Sequence, residues 1–97
     1  MKTLDEIKQI LSARKSWLYE TYRITELGIF GSYARGEQTQ DSDVDVLIDY
    51  EQAPTLFDLV NLRDFLADLT GLSVDLVTKN GLKPRIRDRV LSEVIYL

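Results

Sequence analysis

One contiguous segment constrains the fold more than any other. The apolar run Leu27 to Phe30 meets a small-residue turn, Gly31-Ser32-Tyr33-Ala34-Arg35-Gly36, and a short polar stretch then leads to Ser42-Asp43-Val44-Asp45 and the apolar Val46-Leu47-Ile48. Side chains two apart on a strand share a face, so Asp43 and Asp45 project together while Val44 and Val46 turn to the opposite side. The segment therefore predicts a strand ending at a glycine turn and a second, buried strand that opens on two acids.

The rest of the chain supplies helices to cover those strands. Thr3-Leu4-Asp5-Glu6 has the form of a capping box, and Leu4, Ile7, Leu11 and Leu18 mark one face of a helix expected from Leu4 to Tyr19. A strand is expected over Ile24 to Phe30, a single helical turn over Ser32 to Gly36, a loop over Glu37 to Ser42, and a strand over Val44 to Ile48. Thr55 with Asp58 repeats the capping signature, and a broad apolar stripe from Leu56 to Leu69 predicts a helix ending near Gly71. Val74 to Val77 reads as a third strand. Pro84 opens a last helix in which Ile86, Val90, Leu91 and Val94 face inward. The fold class is α/β: a small mixed β-sheet with helices packed on it. At 97 residues the chain is expected to form one domain, spanning 1–97.

Composition narrows the chemistry. The 44% hydrophobic and 29% charged residues fit an ordinary globular protein. No apolar run approaches the roughly 20 residues of a membrane span, and no signal-peptide core opens the chain, so a cytoplasmic location is expected. The chain has no histidine and no cysteine, which removes disulfides, zinc sites and histidine bases together. Any metal must then be a hard cation held by oxygen. The net charge of -4 argues against a broad electrostatic grip on nucleic acid.

Two carboxylates held close repel each other unless a cation lies between them, and Mg²⁺ binds through one or two carboxylates plus substrate phosphates. Asp75 is a third acid inside an apolar run, between Val74 and Leu76. If its strand pairs beside that of Asp43 and Asp45, three carboxylates meet at one edge, the minimum for a two-metal site. The plainer reading makes these acids strand-end residues facing water, which suits Asp43 better than the flanked Asp45 and Asp75. Gly31 and Ser32 add a turn whose backbone can approach a phosphate closely and offer it amide and hydroxyl donors. Arg35 faces two alternatives, a phosphate contact or a salt bridge with Glu37 or Asp41. Tyr33, next to Ser32, is expected at the mouth of such a site, whereas Trp17 and the other tyrosines suit a partial core. The basic run Lys83, Arg85, Arg87 and Arg89 is either a solvated helix face or a contact for a partner or phosphate.

The turn Gly31 to Gly36 and the Ser42-Asp43-Val44-Asp45-Val46 segment resemble the signature of the DNA polymerase β-like nucleotidyltransferase superfamily. Together with Ser73-Val74-Asp75-Leu76-Val77 and Leu82-Lys83-Pro84-Arg85-Ile86-Arg87, they more narrowly resemble the minimal nucleotidyltransferases over essentially the whole chain. This resemblance implies the polymerase β-like fold and a Mg²⁺-dependent transfer of AMP from ATP to an acceptor. It implies that Gly31 and Ser32 hold the triphosphate, that Asp43, Asp45 and Asp75 serve as catalytic, metal-binding acids, and that Asp75 helps accept the acceptor's proton. Similar proteins pair with a HEPN-type ribonuclease toxin and act as antitoxins by adenylylating one of its tyrosines, which implies a hetero-oligomer with that partner. The alternative is a noncatalytic, nucleotide-binding antitoxin that inhibits by occlusion.

Overall fold

The computed structural model describes residues 2–97. Two helices come first, α1 over Leu4–Ser12 and α2 over Lys15–Tyr22, followed by strand β1 over Ile24–Phe30 and the short helix α3 over Gly31–Arg35. Strand β2 covers Val44–Tyr50, helix α4 Leu56–Thr70 and strand β3 Val74–Thr78. A 3₁₀ turn at Lys79–Gly81 leads to helix α5 over Pro84–Glu93, and strand β4 covers Ile95–Tyr96.

The expected single helix from Leu4 to Tyr19 is two helices. Its apolar spacing is regular, but α1 packs on α4 and α2 on β1, and a straight rod does not reach both. The chain turns at Ala13 and Arg14, where the Arg14 amide donates to the Leu11 carbonyl at 3.0 Å. Both predicted capping boxes form. The Thr3 hydroxyl accepts from the Glu6 amide at 3.2 Å and the Thr55 hydroxyl from the Asp58 amide at 3.1 Å, with each acid returning to the cap's own amide. At the other end of the chain, α5 stops at Glu93, so Val94 follows the helix and does not belong to it. Strand β4, which the sequence pattern did not predict, pairs with β1 through Gly28 opposite Tyr96 and Ile29 opposite Ile95.

The sheet order is β3-β2-β1-β4. β1 runs antiparallel to both β2 and β4, while β2 and β3 are parallel and joined by α4, since parallel neighbours need a crossover connection. The alternation of β2 divides the interior. Val44, Val46 and Ile48 are buried with Ile7, Leu11, Leu18, Leu62 and Leu66 under α1, α2 and α4. Leu47 points the other way and is buried with Leu82 and Val90 beneath α5. Burying each such side chain contributes roughly 1.5–3 kcal/mol against chain entropy. Asp45 belongs to the Leu47 side, so it emerges on the face that α5 only partly covers.

Candidate active site

Topology brings the motif together at one end of the sheet. Antiparallel pairing puts the end of β1 beside the start of β2, with Phe30 opposite Asp45. Parallel pairing puts the start of β3 beside the start of β2, with Asp75 opposite Asp45. The glycine turn therefore leaves β1 directly next to the acids, and α3 packs on β1, β2 and α5.

The three acids occupy different environments. Asp43 lies just before β2 and is exposed, Asp45 is half-buried within the strand, and Asp75 is exposed on β3. Burial, followed by the charges of Asp75 and Asp43 and a hydrogen bond with Asp75, pushes the Asp45 carboxyl up to about 6. A carboxyl raised by burial and by neighbouring acids marks a place where a cation is favoured. Among the described residues no three acids are already grouped closely enough to hold a metal ion. The donor set nonetheless fits Mg²⁺, which takes one or two carboxylates and completes its shell with water and substrate phosphates.

Gly31 enters α3 with φ +73°, in the left-handed region, and a β-carbon there would overlap the Asp45 carboxylate, 2.9 Å from Cγ. Glycine is thus needed twice over, for the backbone angle and for the space. Its amide donates to Glu93 Oε2 at 2.6 Å. That donor is therefore spent within the protein, and a phosphate would find Ser32 and the following amide of the first turn, which helix geometry leaves without intrahelical acceptors. The loop between α3 and β2 is tied internally. Ser42 Oγ accepts from the Thr39 amide at 2.8 Å, and the Ser42 amide donates to the Thr39 carbonyl at 3.1 Å, immediately ahead of Asp43.

Arg35 takes the salt-bridge alternative, but with an additional partner. Its Nε donates to Glu37 at 2.8 Å and its Nη1 to both Glu93 oxygens at 3.2 and 3.1 Å. The two carboxylates hold its proton more firmly than usual. Glu93 has no sequence signal as a site residue, because it stands 62 positions from Gly31 and only the fold joins them. Tyr33 departs from expectation: at 1% exposure it lies in the main core and not at the site's mouth. In the five-residue α3 Gly31 and Tyr33 are the buried residues, and the neighbouring Ser32 is partly exposed. In the basic run, Lys83, Arg85 and Arg89 are exposed, whereas Arg87 donates to the Lys79 carbonyl at 2.8 Å.

Comparison with known proteins shows the family and the fold. Residues 4–97 match the family model described as a nucleotidyltransferase domain. The protein adenylyltransferase MntA of Thermococcus cleftensis is 50% identical over 97 residues, covering 100% of this chain and 98% of that protein. A solved structure assigned as a minimal nucleotidyltransferase superposes with a TM-score of 0.84 at 38% identity, covering 99% of this chain and 97% of that one. A complex of a tri-AMPylated Shewanella oneidensis HEPN toxin with its MNT antitoxin shares the fold, with a TM-score of 0.63 at 17% identity over 96% of this chain and 66% of that one. The chain belongs to the nucleotidyltransferase domain family, as a relative of the MntA protein adenylyltransferase, and is an enzyme of the nucleotidyltransferase class.

Proposed function

We propose that this enzyme transfers AMP from ATP to a tyrosine of a HEPN-type ribonuclease toxin, with Mg²⁺, and thereby acts as that toxin's antitoxin. The observation that carries the reading is the convergence of Asp45, Asp75 and the Gly31 turn at one sheet end, with the Asp45 carboxyl raised first by burial and then by its acidic neighbours. The half-way identity to a protein adenylyltransferase along its whole length supports a protein acceptor, and the shared fold with an MNT antitoxin bound to an AMPylated HEPN toxin supports that acceptor's class.

In this reading Asp43, Asp45 and Asp75 hold the metal, while Gly31 lets the turn's backbone approach the triphosphate closely and Ser32 donates to it. Bound Mg²⁺ would neutralise phosphate charge and lower the proton affinity of the attacking hydroxyl. The tyrosine oxygen attacks the α-phosphorus in line, the bond to the β-phosphate oxygen breaks, and pyrophosphate leaves. Asp75, exposed at the edge of the acid group, takes up the tyrosine's proton. Holding the acceptor hydroxyl in line can supply about 7–11 kcal/mol of the barrier.

A protein acceptor also suits the surface. Leu56 and Phe57, at the start of α4, are 74% and 81% exposed, and an open groove runs from Leu56, Leu59 and Val60 to Leu76, the residue after Asp75. This apolar surface lies on the α4 side of the sheet, opposite the face that carries the acids, and adjacent exposed apolar side chains of this kind favour a bound protein partner and a hetero-oligomer. No helix among the described residues is long and apolar enough to cross a membrane, and ATP as donor favours the cytoplasm.

The decisive experiment incubates the protein with each nucleoside triphosphate, Mg²⁺ and the protein encoded beside it, then weighs both proteins intact. A nucleotide-sized gain on the partner with ATP, lost in Asp43→Asn/Asp45→Asn, is expected. Full neutralisation of the partner by that double variant, with no mass gain from the native protein, would replace catalysis by occlusion.

A further inference from the structure

We propose that Glu93 is a positioning residue of the nucleotide-binding turn. The inference rests on the reading of Gly31 and Ser32 as the triphosphate-holding residues and adds to them a group from the far end of the chain. The Glu93 carboxylate accepts the Gly31 amide at 2.6 Å and receives the Arg35 guanidinium on both oxygens. It thus spans the first and last residues of α3. Hydrogen bonds of this kind, to a charged acceptor, are shorter and stronger than neutral ones.

Glu93 is itself held on both sides. It is the last residue of α5, and two residues later β4 pairs with β1 next to the turn, Ile95 opposite Ile29. Its side chain is only 17% exposed, so its position follows from the packing around it. A five-residue helix cannot hold its own shape through internal bonds alone, and α3 here is braced from outside. Gly31 lies between two carboxylates, with Glu93 on its amide and Asp45 against its α-carbon. Displacing Glu93 would therefore move the turn relative to the metal-binding acid. A carboxylate at this amide could instead compete with the triphosphate, and the two roles predict opposite changes in affinity.

The test is calorimetric titration of Mg²⁺ with α,β-methylene-ATP into the native protein, Glu93→Ala, Glu93→Gln and Glu26→Gln, at a temperature where circular dichroism shows each fully folded. Glu26→Gln removes an ion pair with Lys79 elsewhere on the sheet and controls for general loosening. Positioning predicts a dissociation constant raised tenfold or more in Glu93→Ala, partial recovery in Glu93→Gln, whose amide oxygen can still accept from Gly31, and no change in Glu26→Gln. Native or tighter binding by Glu93→Ala overturns the proposal, and so does an equal loss in Glu26→Gln. If Glu93→Ala does not fold, Glu93→Gln decides: a threefold or greater loss supports positioning and native affinity overturns it. Failure of the native protein to bind the analogue would instead sink the nucleotide-site reading itself.

Discussion

Gly31 and Asp45 are in direct opposition: the α-carbon of the turn faces the carboxylate of the strand, and any β-carbon at residue 31 would intrude on it. Gly31→Ala therefore has two costs. The left-handed angle of φ +73° costs about 1–2 kcal/mol for a residue with a β-carbon, and the clash must be relieved by moving Asp45. A displacement of about 1 Å in such a group can lower turnover by about 100-fold. Gly36 has nearly the same angle, φ +71°, and open space around it. Gly36→Ala is expected to lose stability alone, and Gly31→Ala stability and transferase activity together. Urea unfolding and a partner-adenylylation assay on the pair separate strain from collision; equal activity in both variants would refute the argument.

Asp45 makes the protein's stability depend on pH in an uncommon direction. Its folded value is raised to about 6 from 3.8, first by burial and then by Asp75 and Asp43. The folded state therefore binds the proton more tightly than the unfolded state, and stability falls as pH rises through the window between those two values. The full shift would correspond to about 3 kcal/mol at 1.36 kcal/mol per unit, and solvent screening of this half-buried group reduces it to about 1–2 kcal/mol. Asp45→Asn should abolish adenylylation and also stabilise the metal-free protein above pH 7, with the gain vanishing near pH 4. Denaturant titrations of both proteins in a chelator at the two pH values check this. A variant no more stable than the native protein at pH 8 would contradict it.

Thr55 starts the helix that links β2 to β3, and its hydroxyl and the Asp58 carboxylate satisfy two amides that the helix cannot. Thr55→Ala is expected to cost about 1 kcal/mol, which for a chain of this size lowers the melting temperature by about 4–8 °C. Thr55→Ser should restore most of it. Calorimetric melting of the three proteins is sufficient, and an unchanged midpoint in Thr55→Ala would show that tertiary packing holds the helix start without the cap.

The parts of the molecule legible in the sequence are those governed by local rules. Both capping boxes, the strands around Asp45 and Asp75, and the glycine turn follow from neighbouring residues, and the mixed sheet follows from their order. What was not legible depends on contacts between distant residues. The bend at Ala13 and Arg14 has no glycine or proline to announce it and comes from two different packing surfaces for α1 and α2. Strand β4 is two residues long and exists because Gly28 leaves room for Val94 and Tyr96 against β1. Glu93 enters the site only because α5 ends where β4 begins. Arg35 offered two local partners in Glu37 and Asp41; it takes Glu37, and its second partner, Glu93, lies 58 residues away.

Tyr33 shows how a residue beside a motif can be misread from adjacency. It follows Ser32 directly, yet its ring is 1% exposed and packs in the main core, so its contribution should be to stability and not to nucleotide handling. Tyr33→Ala opens a cavity beneath α3 and is expected to cost about 3–5 kcal/mol, the range for removing a large buried aromatic. Tyr33→Phe keeps the ring and should lose less than about 1.5 kcal/mol. Because Tyr33 is buried in the main core, Tyr33→Phe should bind Mg²⁺ with α,β-methylene-ATP as the native protein does. Denaturation midpoints and titration calorimetry on Tyr33→Phe test both halves of the claim. A tenfold loss of nucleotide affinity at near-native stability would return Tyr33 to the site.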